Sequence, residues 1–178
     1  INNPDSILNL ISKKFGSNRV VVRSSALSED GFDSANAGAY TSVLNVDGGN
    51  LKATKVAIEE VINSYDSSDL NHQVLVQEMV SNVLASGVAF TRNLTHGSPY
   101  RIINYEKSSN TDSITSGTSS NHRTLIIHRS QLSPPSKDAE FLGPILEAIV
   151  EVENLLGIDY LDIEFAISKD YVVHILQV

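Results

Sequence analysis

Three consecutive β-branched residues, Val20 to Val22, constrain the fold of this chain more than any other stretch. β-Branched residues in succession favour a strand that is buried on both faces. The run ends in Arg23 and two serines, and small polar residues lead on to a second predicted strand over residues 41–46. An arginine at a strand end suits anion binding, because its planar fork of donors matches phosphate and neighbouring amides add further donors. A surface hairpin with a solvated Arg23 is the alternative for this stretch taken alone.

The size and charge of the chain limit what it can be. With 178 residues, of which 41% are hydrophobic, it can form one domain or two small lobes that share a cleft. Its net charge of −8 argues against nucleic acid and anionic membranes as partners. No apolar run approaches the roughly 20 residues that cross a bilayer. The absence of cysteine excludes disulfides and zinc–thiolate sites and is compatible with the cytoplasmic location that we expect.

Hydrophobic periodicity and turn residues predict an α+β fold, with strands paired largely antiparallel and three covering helices. The predicted strands are the Val20 run and residues 41–46, 72–79, 87–91, 100–105, 123–128, 162–168 and 171–177. The apolar positions of the first two predicted helices are Ile7, Leu8, Leu10, Ile11 and Phe15, and then Leu51, Val56, Ile58, Val61, Ile62 and Tyr65. Gly16 and Gly157 are expected to end the first and third helices. Residues 107–122 are rich in Ser, Thr, Asn and Gly, and we expect them to form a mobile loop.

A second stretch combines a strand end with small residues and an arginine. At the end of its strand, Gln77 exposes backbone groups that could bind the edge of an adenine, with Met79 and Val80 as apolar walls. Gly87 allows the chain to return tightly, and Arg92 at the next strand end is a second candidate phosphate ligand. A surface β-hairpin explains this stretch equally well when it is taken alone.

A third stretch places two carboxylates on one strand near the end of the chain. Asp162 and Glu164 are two positions apart and therefore point to the same face, which is costly for like charges unless a cation binds there. Magnesium is usually held by one or two carboxylates together with substrate phosphates. Gln177 on the partner strand could add a neutral oxygen ligand. The alternative is an exposed edge strand with two solvated acids.

The three stretches, in this order, resemble one known family. The matching runs are VVVRSSALSED, Ala37-Gly38 and Leu44-Asn45-Val46, then VQEMV and SGVAFTRN, and finally DIEFA with Gln177. They are similar to the nucleotide-binding domain of phosphoenolpyruvate synthase, pyruvate phosphate dikinase and rifampicin phosphotransferase, a family of the ATP-grasp type. The resemblance implies an α+β, ATP-grasp-like fold with largely antiparallel sheets and covering helices.

The resemblance also implies which residues would bind ATP. Arg23 would contact the phosphates, Gly38 would shape the phosphate pocket, and Arg92 would be a second phosphate ligand and catalytic arginine beside Arg23. Ser42 stands where relatives have a threonine near the nucleotide. The residues expected around the adenine are Gln77, Met79 and Val80.

A magnesium site and a reaction follow from the same resemblance. Glu164 and Gln177 would bind Mg²⁺, with Asp162 in support, and we expect Arg23 and Glu164 to converge on one cleft. Relatives use ATP to phosphorylate a histidine on a separate swivelling domain, so the expected function is that of the ATP-binding domain of a kinase-type phosphotransferase. None of the five histidines matches that carrier, so the carrier-histidine and substrate domains are expected elsewhere in the same polypeptide.

Departures from the family pattern define the expected extent of the domain and leave alternatives open. The family's lysine-bearing N-terminal lobe and its final arginine fall outside this chain, and residues 108–111 replace a Gly-Leu-Gly-Glu segment. We therefore expect residues 1–178 to be a partial ATP-grasp domain, a fragment of a larger multidomain enzyme that is inactive by itself. The alternative is a catalytically silent nucleotide-binding or regulatory module derived from the same fold. A hydrolase that uses Ser24, His128 and Asp162 is a weaker alternative, because no nucleophile-elbow motif surrounds a serine.

Overall fold

A computed structural model describes residues 4–25, 30–31, 34–35, 41–65, 71–107 and 122–178, with the backbone alone at 30–31 and 34–35. The chain divides into two compact units, Ile1–Met79 and Val80–Val178, which we call the first and the second unit. Gly38 and residues 108–121 of the predicted mobile loop lie outside the described residues.

The first unit contains two helices and a three-stranded antiparallel sheet. Its elements are α1 (Pro4–Phe15), β1 (Arg19–Ser25), β2 (Asp30–Gly31), β3 (Ser34–Ala35), β4 (Ser42–Asp47), α2 (Leu51–Ser64) and β5 (Gln73–Glu78). The sheet has the order β4-β1-β5, and β2 and β3 pair with each other in a separate short hairpin.

The strand β1 forms the centre of this sheet, but only one of its faces is buried. Val20 and Val22 are fully buried in a core with residues of α1 and α2, whereas Val21 is half-buried. The prediction of a strand buried on both faces is therefore wrong. Arg23 shares the second, less buried face with Val21, because side chains alternate along a strand.

The predicted helices of this unit are present, and their apolar stripes are narrower than predicted. Gly16 ends α1 with φ +55°, and the side chain of Asn50 caps α2 by accepting a hydrogen bond from the Ala53 amide. The core-facing residues of α1 are Leu8, Ile11 and Phe15, and those of α2 are Thr54, Ala57, Ile58 and Val61. The predicted core positions that the structure leaves exposed are Ile7, Leu10, Leu51, Val56 and Ile62.

The second unit packs one helix on a five-stranded antiparallel sheet. Its elements are β6 (Val83–Phe90), β7 (Tyr100–Glu106), β8 (Arg123–His128), a 3₁₀ helix (Lys137–Leu142), α3 (Gly143–Leu156), β9 (Asp162–Ser168) and β10 (Val173–Gln177). The sheet has the order β10-β9-β6-β7-β8. Its core contains Ile163 and Phe165 from β9 and Ile145 and Ile149 from α3, all fully buried.

Gly87 lies inside β6 and not in the tight return that the sequence predicts. A Cβ atom at this position would lie 2.1 Å from the carbonyl oxygen of Asn104 and 3.0 Å from Cζ of Phe165. Glycine is therefore required because β7 and the Phe165 ring approach the strand closely.

These elements confirm the predicted α+β class, since both larger sheets are antiparallel and each packs against helices. The strand over residues 123–128 has the predicted bounds, whereas β6 begins four residues before the predicted strand. Among the described residues, no helix is both long enough and apolar enough to cross a membrane.

Candidate functional site

In the first unit, three of the residues proposed to bind ATP share one face of the sheet. Arg23 lies directly opposite Ser42 on β4, and Val21 lies directly opposite Gln77 on β5. Directly opposed residues of antiparallel strands point to the same face, and so do residues two apart on one strand. Val21, Arg23, Ser42 and Gln77 therefore lie on the face opposite α1 and α2, which we call the Arg23 face.

Met79 follows β5 and connects the two outer strands at one end of this sheet. Its backbone N–H donates to the Arg19 carbonyl (2.9 Å), and its Sδ accepts a hydrogen bond from the Asn45 amide (3.1 Å). The Arg19 guanidinium in turn donates to the Asn45 carbonyl (3.1 Å). Asn45 has φ +61° and lies where β4 is irregular opposite β1, so the irregularity exposes both of its backbone groups to these partners. Val80, predicted beside Met79, is half-buried.

In the second unit, β9 and β10 bring the predicted metal ligands together. Glu164 lies directly opposite Gln177 on β10, and Asp162 precedes it by two positions on the same face. The intervening Ile163 is fully buried in the core, so the two carboxylates lie on the face opposite α3, which we call the Glu164 face. Glu164 is half-buried and Asp162 is exposed.

The chemistry of this set fits magnesium. Two carboxylates and one amide oxygen are hard donors, and Mg²⁺ usually takes one or two carboxylates and completes its shell with water and phosphate oxygens. Within the described ranges, no group of three or more His, Cys, Asp or Glu side chains is positioned to hold a metal ion. If each gave one oxygen, Asp162, Glu164 and Gln177 would fill three positions of an octahedral magnesium shell and leave the others to further ligands.

The Glu164 face continues across the sheet as a row that the sequence analysis did not predict. Val88 on β6 lies opposite Glu164, and Asn104 on β7 lies opposite Val88. Thr124 on β8 follows, and its hydroxyl donates to the Asn104 side-chain oxygen at 2.8 Å. The alternation of side chains along each strand shows which residues share a face. The row could not be predicted from it, because the sequence does not show which strands are neighbours in the sheet.

Arg92 lies just beyond β6, where it is held by side chains and backbone of the second unit. Its Nε and Nη2 both donate to Oδ2 of Asp159, and its Nη1 donates to the Gly97 carbonyl (3.2 Å). Its guanidinium also lies 5.2 Å from the centre of the Tyr160 ring. The phosphate-binding role of Arg92 stays a prediction, and in this structure its guanidinium fixes the loop that leads into β9.

Arg92 belongs to a larger set of paired charges that sequence reasoning missed. Arg129 Nη1 lies 3.4 Å from Oδ2 of Asp159, and Arg129 Nη2 lies 3.1 Å from Oε1 of Glu153. The second oxygen of Glu153 lies 3.3 Å from Nη2 of Arg101. We call these five residues, Arg92, Asp159, Arg129, Glu153 and Arg101, the arginine network. It joins the residues that follow β6 and β8, the start of β7, the last turns of α3 and the loop before β9.

Thr91 strengthens the same junction from a fully buried position. Its hydroxyl donates to the Asp159 carbonyl and accepts from the Leu161 amide, both at 2.8 Å. The three residues before Asp162 are therefore fixed by a hydroxyl as well as by the arginine network.

The bonds between Arg92 and Asp159 shift the pKa values of both groups. The hydrogen bonds from Arg92 hold the pKa of the Asp159 carboxyl below its ordinary value, with Arg129 contributing a weaker charge effect. The same bonds to Asp159 raise the pKa of Arg92 above its ordinary value. Both groups are therefore charged over the whole physiological pH range.

The geometry excludes the hydrolase alternative. His128 ends β8 and Asp162 begins β9, and β6 and β7 lie between those two strands in the sheet. Three strand spacings of about 4.8 Å separate the two residues by roughly 14 Å, which is too far for a hydrogen-bonded His–Asp pair. The His128 ring instead contacts Ser130, with Nδ1 2.8 Å from the hydroxyl oxygen.

One known family model matches the stretch of the chain in which most of the candidate residues lie. The family model described as pyruvate phosphate dikinase, AMP/ATP-binding domain, matches residues 5–107. The matched region contains Arg23, Ser42, Gln77, Met79 and Arg92 and ends before β9. No curated protein matches the chain. Because the match spans more than half of the 178 residues, the chain belongs to the family of the AMP/ATP-binding domain of pyruvate phosphate dikinase.

Proposed function

We propose that this chain binds Mg-ATP for phosphoryl transfer to a carrier histidine on another domain of the same polypeptide, as in phosphoenolpyruvate synthase and pyruvate phosphate dikinase. The observation that carries the proposal is the shared placement of Arg23, Ser42 and Gln77 on the Arg23 face, within the part of the chain that matches the family. Residues of three different strands share this face because of the strand register, which supports one common binding surface for them.

Each residue has a role that its chemistry supports. Arg23 presents a planar set of N–H donors that fits phosphate oxygens, and Ser42, directly opposite on β4, can add a hydroxyl donor. The backbone that follows Gln77, with the Met79 and Val80 side chains, provides the polar edge and apolar walls that an adenine requires.

The metal would be held by the Glu164 face. Glu164 and Gln177 would supply one oxygen each, with Asp162 in support, and bound Mg²⁺ would neutralise charge on the phosphate oxygens. Since these ligands fill only part of an octahedral shell, we expect metal and nucleotide to bind cooperatively. Reciprocity requires that each raises the affinity of the other by the same factor.

The test is calorimetric titration of Mg²⁺ into the protein with and without ATP. We expect ATP to raise the affinity for Mg²⁺, and we expect Glu164→Gln to abolish that increase while a weak adenine-dependent binding of ATP remains. Nucleotide binding in the high micromolar range corresponds to a free energy on the order of −5 kcal/mol, which calorimetry can detect. The control is Glu151→Gln, which neutralises an exposed carboxylate on α3. Equal Mg²⁺ affinity in both titrations, or unchanged coupling in Glu164→Gln, contradicts the metal site.

The transfer step is tested separately in the full-length polypeptide that contains this chain. We expect acid-labile phosphohistidine to form when ATP and Mg²⁺ are added. Coupled binding of Mg-ATP without any phosphohistidine would instead favour a catalytically silent nucleotide-binding module.

A further inference from the structure

Two adjacent residues at the end of α2 each bind the backbone of a strand that carries a proposed phosphate ligand. The hydroxyl of Ser64 accepts a hydrogen bond from the Thr41 amide (3.2 Å), immediately before Ser42 in β4. The hydroxyl of Tyr65 accepts one from the Ser25 amide (3.1 Å), two residues beyond Arg23 in β1. The C-terminal end of α2 thus contacts both strands close to the Arg23–Ser42 pair.

The Tyr65 hydroxyl lies between two opposed residues of β1 and β5 and bonds to the backbone of both. Its hydroxyl also donates to the carbonyl of Gln73, the residue directly opposite Ser25 on β5. In an antiparallel ladder, every second pair of opposed residues exchanges backbone hydrogen bonds. The Met79 amide donates to the Arg19 carbonyl, so the residues of β1 that bond to β5 are the odd-numbered ones, and Ser25 is one of them. The hydroxyl therefore bridges the two strands at the last bonded position, where β1 and β5 end their pairing.

Further contacts fix the positions of both side chains. The Tyr65 ring stacks on the His72 ring with centroids 4.5 Å apart and packs against the core of the first unit. The Ser64 hydroxyl donates to the Val61 carbonyl of its own helix (2.7 Å), which leaves its lone pairs available to the Thr41 amide. Both hydroxyls are therefore held by the helix that packs beneath the sheet.

We propose that Ser64 and Tyr65 are positioning residues that hold Arg23 and Ser42 in the arrangement that binds the phosphates of ATP. The inference rests on the proposed function and adds two residues to it that contact the strands and not the nucleotide. Removal of either hydroxyl frees one strand end next to the Arg23–Ser42 pair, whereas Gln77 and Met79 lie at the other end of β5. The effect should therefore appear in phosphate binding and spare adenine binding.

The experiment measures the affinities of the wild type, Tyr65→Phe and Ser64→Ala for ATP, inorganic tripolyphosphate and adenosine, each in the presence of Mg²⁺. We expect each variant to lose roughly three- to tenfold in affinity for ATP and for tripolyphosphate, the range that one hydrogen bond of ordinary strength supports. The affinity for adenosine should stay within a factor of two of the wild type. The control is Tyr171→Phe, which removes an exposed hydroxyl in the second unit and should alter none of the three affinities.

The ratio of ATP to adenosine affinity separates positioning from simple loss of stability, because partial unfolding lowers both affinities by the same factor. An unchanged ratio in both variants overturns the inference. If the wild type binds ATP more tightly than adenosine and the variants keep that preference, the proposed function stands and only the inference fails. If the wild type binds neither ATP nor tripolyphosphate, both fail.

Discussion

Replacing Glu153 by glutamine should destabilise the second unit by an amount that the geometry of the arginine network determines. Glu153 is 8% exposed and pairs with Arg101, whose side chain is 3% exposed, and with Arg129, whose side chain is 20% exposed. Neutralising the carboxylate leaves the Arg101 charge buried and removes the negative charge that balances it in the arginine network, although the Arg101 guanidinium still donates to the Arg129 carbonyl (3.1 Å). The charge of Arg129 stays paired, because its Nη1 still lies 3.4 Å from Oδ2 of Asp159.

The expected magnitude follows from breaking a buried ion pair on one side only. Removing one partner of such a pair typically costs about 3–5 kcal/mol, because the other charge stays buried without compensation. For a chain of this size each kcal/mol lowers Tm by about 2–4 °C, so the expected decrease is about 6–20 °C. The measurement is urea denaturation followed by circular dichroism, together with amide hydrogen exchange at β7 and α3, which reports on the second unit directly.

The control for this variant is Glu151→Gln, since Glu151 lies two residues earlier on α3 and is exposed. It should change the free energy of unfolding by no more than about 0.5 kcal/mol. The double variant Glu153→Gln with Arg101→Met should recover part of the loss, because it also removes the uncompensated charge. A loss of less than about 1 kcal/mol in Glu153→Gln, or a double variant less stable than the single one, would refute the argument from buried charge.

Two further perturbations test the packing of β6 and the charged end of the network. Gly87→Ala places a Cβ 2.1 Å from the Asn104 carbonyl oxygen, so we expect at least the 1–3 kcal/mol typical of overpacking, whereas Gly143→Ala has no atom closer than 3.9 Å and should leave Tm almost unchanged. Equal Tm values for the two variants would contradict the close approach of β7. The pKa of Asp159 is lower in the folded state than in the unfolded state, so on acidification the unfolded state binds the proton first. The charged Asp159 therefore stabilises the fold above roughly pH 4, and this stabilisation is lost as the pH falls further. Asp159→Asn should therefore flatten the decline of stability with acid below that pH, and an acid limb identical to that of the wild type would show that the Arg92 bonds do not persist in solution.

Local sequence patterns predicted the strands and the pairs within one hairpin. Glu164 and Gln177 belong to consecutive strands, so a hairpin that joins them necessarily brings them close, as the structure confirms. Arg23 and Ser42, by contrast, belong to strands that are separated in the chain by the short β2–β3 hairpin, and the sequence did not predict that they lie opposite each other. The sequence thus predicted a pairing where the two residues are joined by one short turn. It also predicted a shared face where two residues alternate along a single strand.

The contacts that sequence could not reveal join distant residues through tertiary packing. Arg92 and Asp159 are 67 positions apart, and Arg101 and Glu153 are 52 positions apart. Neither separation follows from a helical or strand period, because the partners meet only after α3 has packed on the sheet.

The stripe predicted for α2 was too broad for a different reason. Val56 precedes Ile58 by two positions and Val61 by five, so at 3.6 residues per turn it lies on the side of the helix away from the core. Ile62 lies at the edge of the stripe, and both side chains are exposed.

The arginine network also bears on how Arg92 can bind phosphate, as the sequence predicts. A guanidinium has five N–H donors, and the bonds to Asp159 and Gly97 use three of them. The remaining two belong to Nη1 and Nη2, the outer nitrogens of the group, so a phosphate could accept them without breaking the pair with Asp159. A fixed partner lowers the entropy that the arginine would lose on binding, since its rotamer is already selected. Phosphate binding by Arg92 stays a prediction. The ion pair would hold the guanidinium in one orientation, but the negative charge of Asp159 would also repel a phosphate, so binding would depend on the two N–H donors that these bonds do not use.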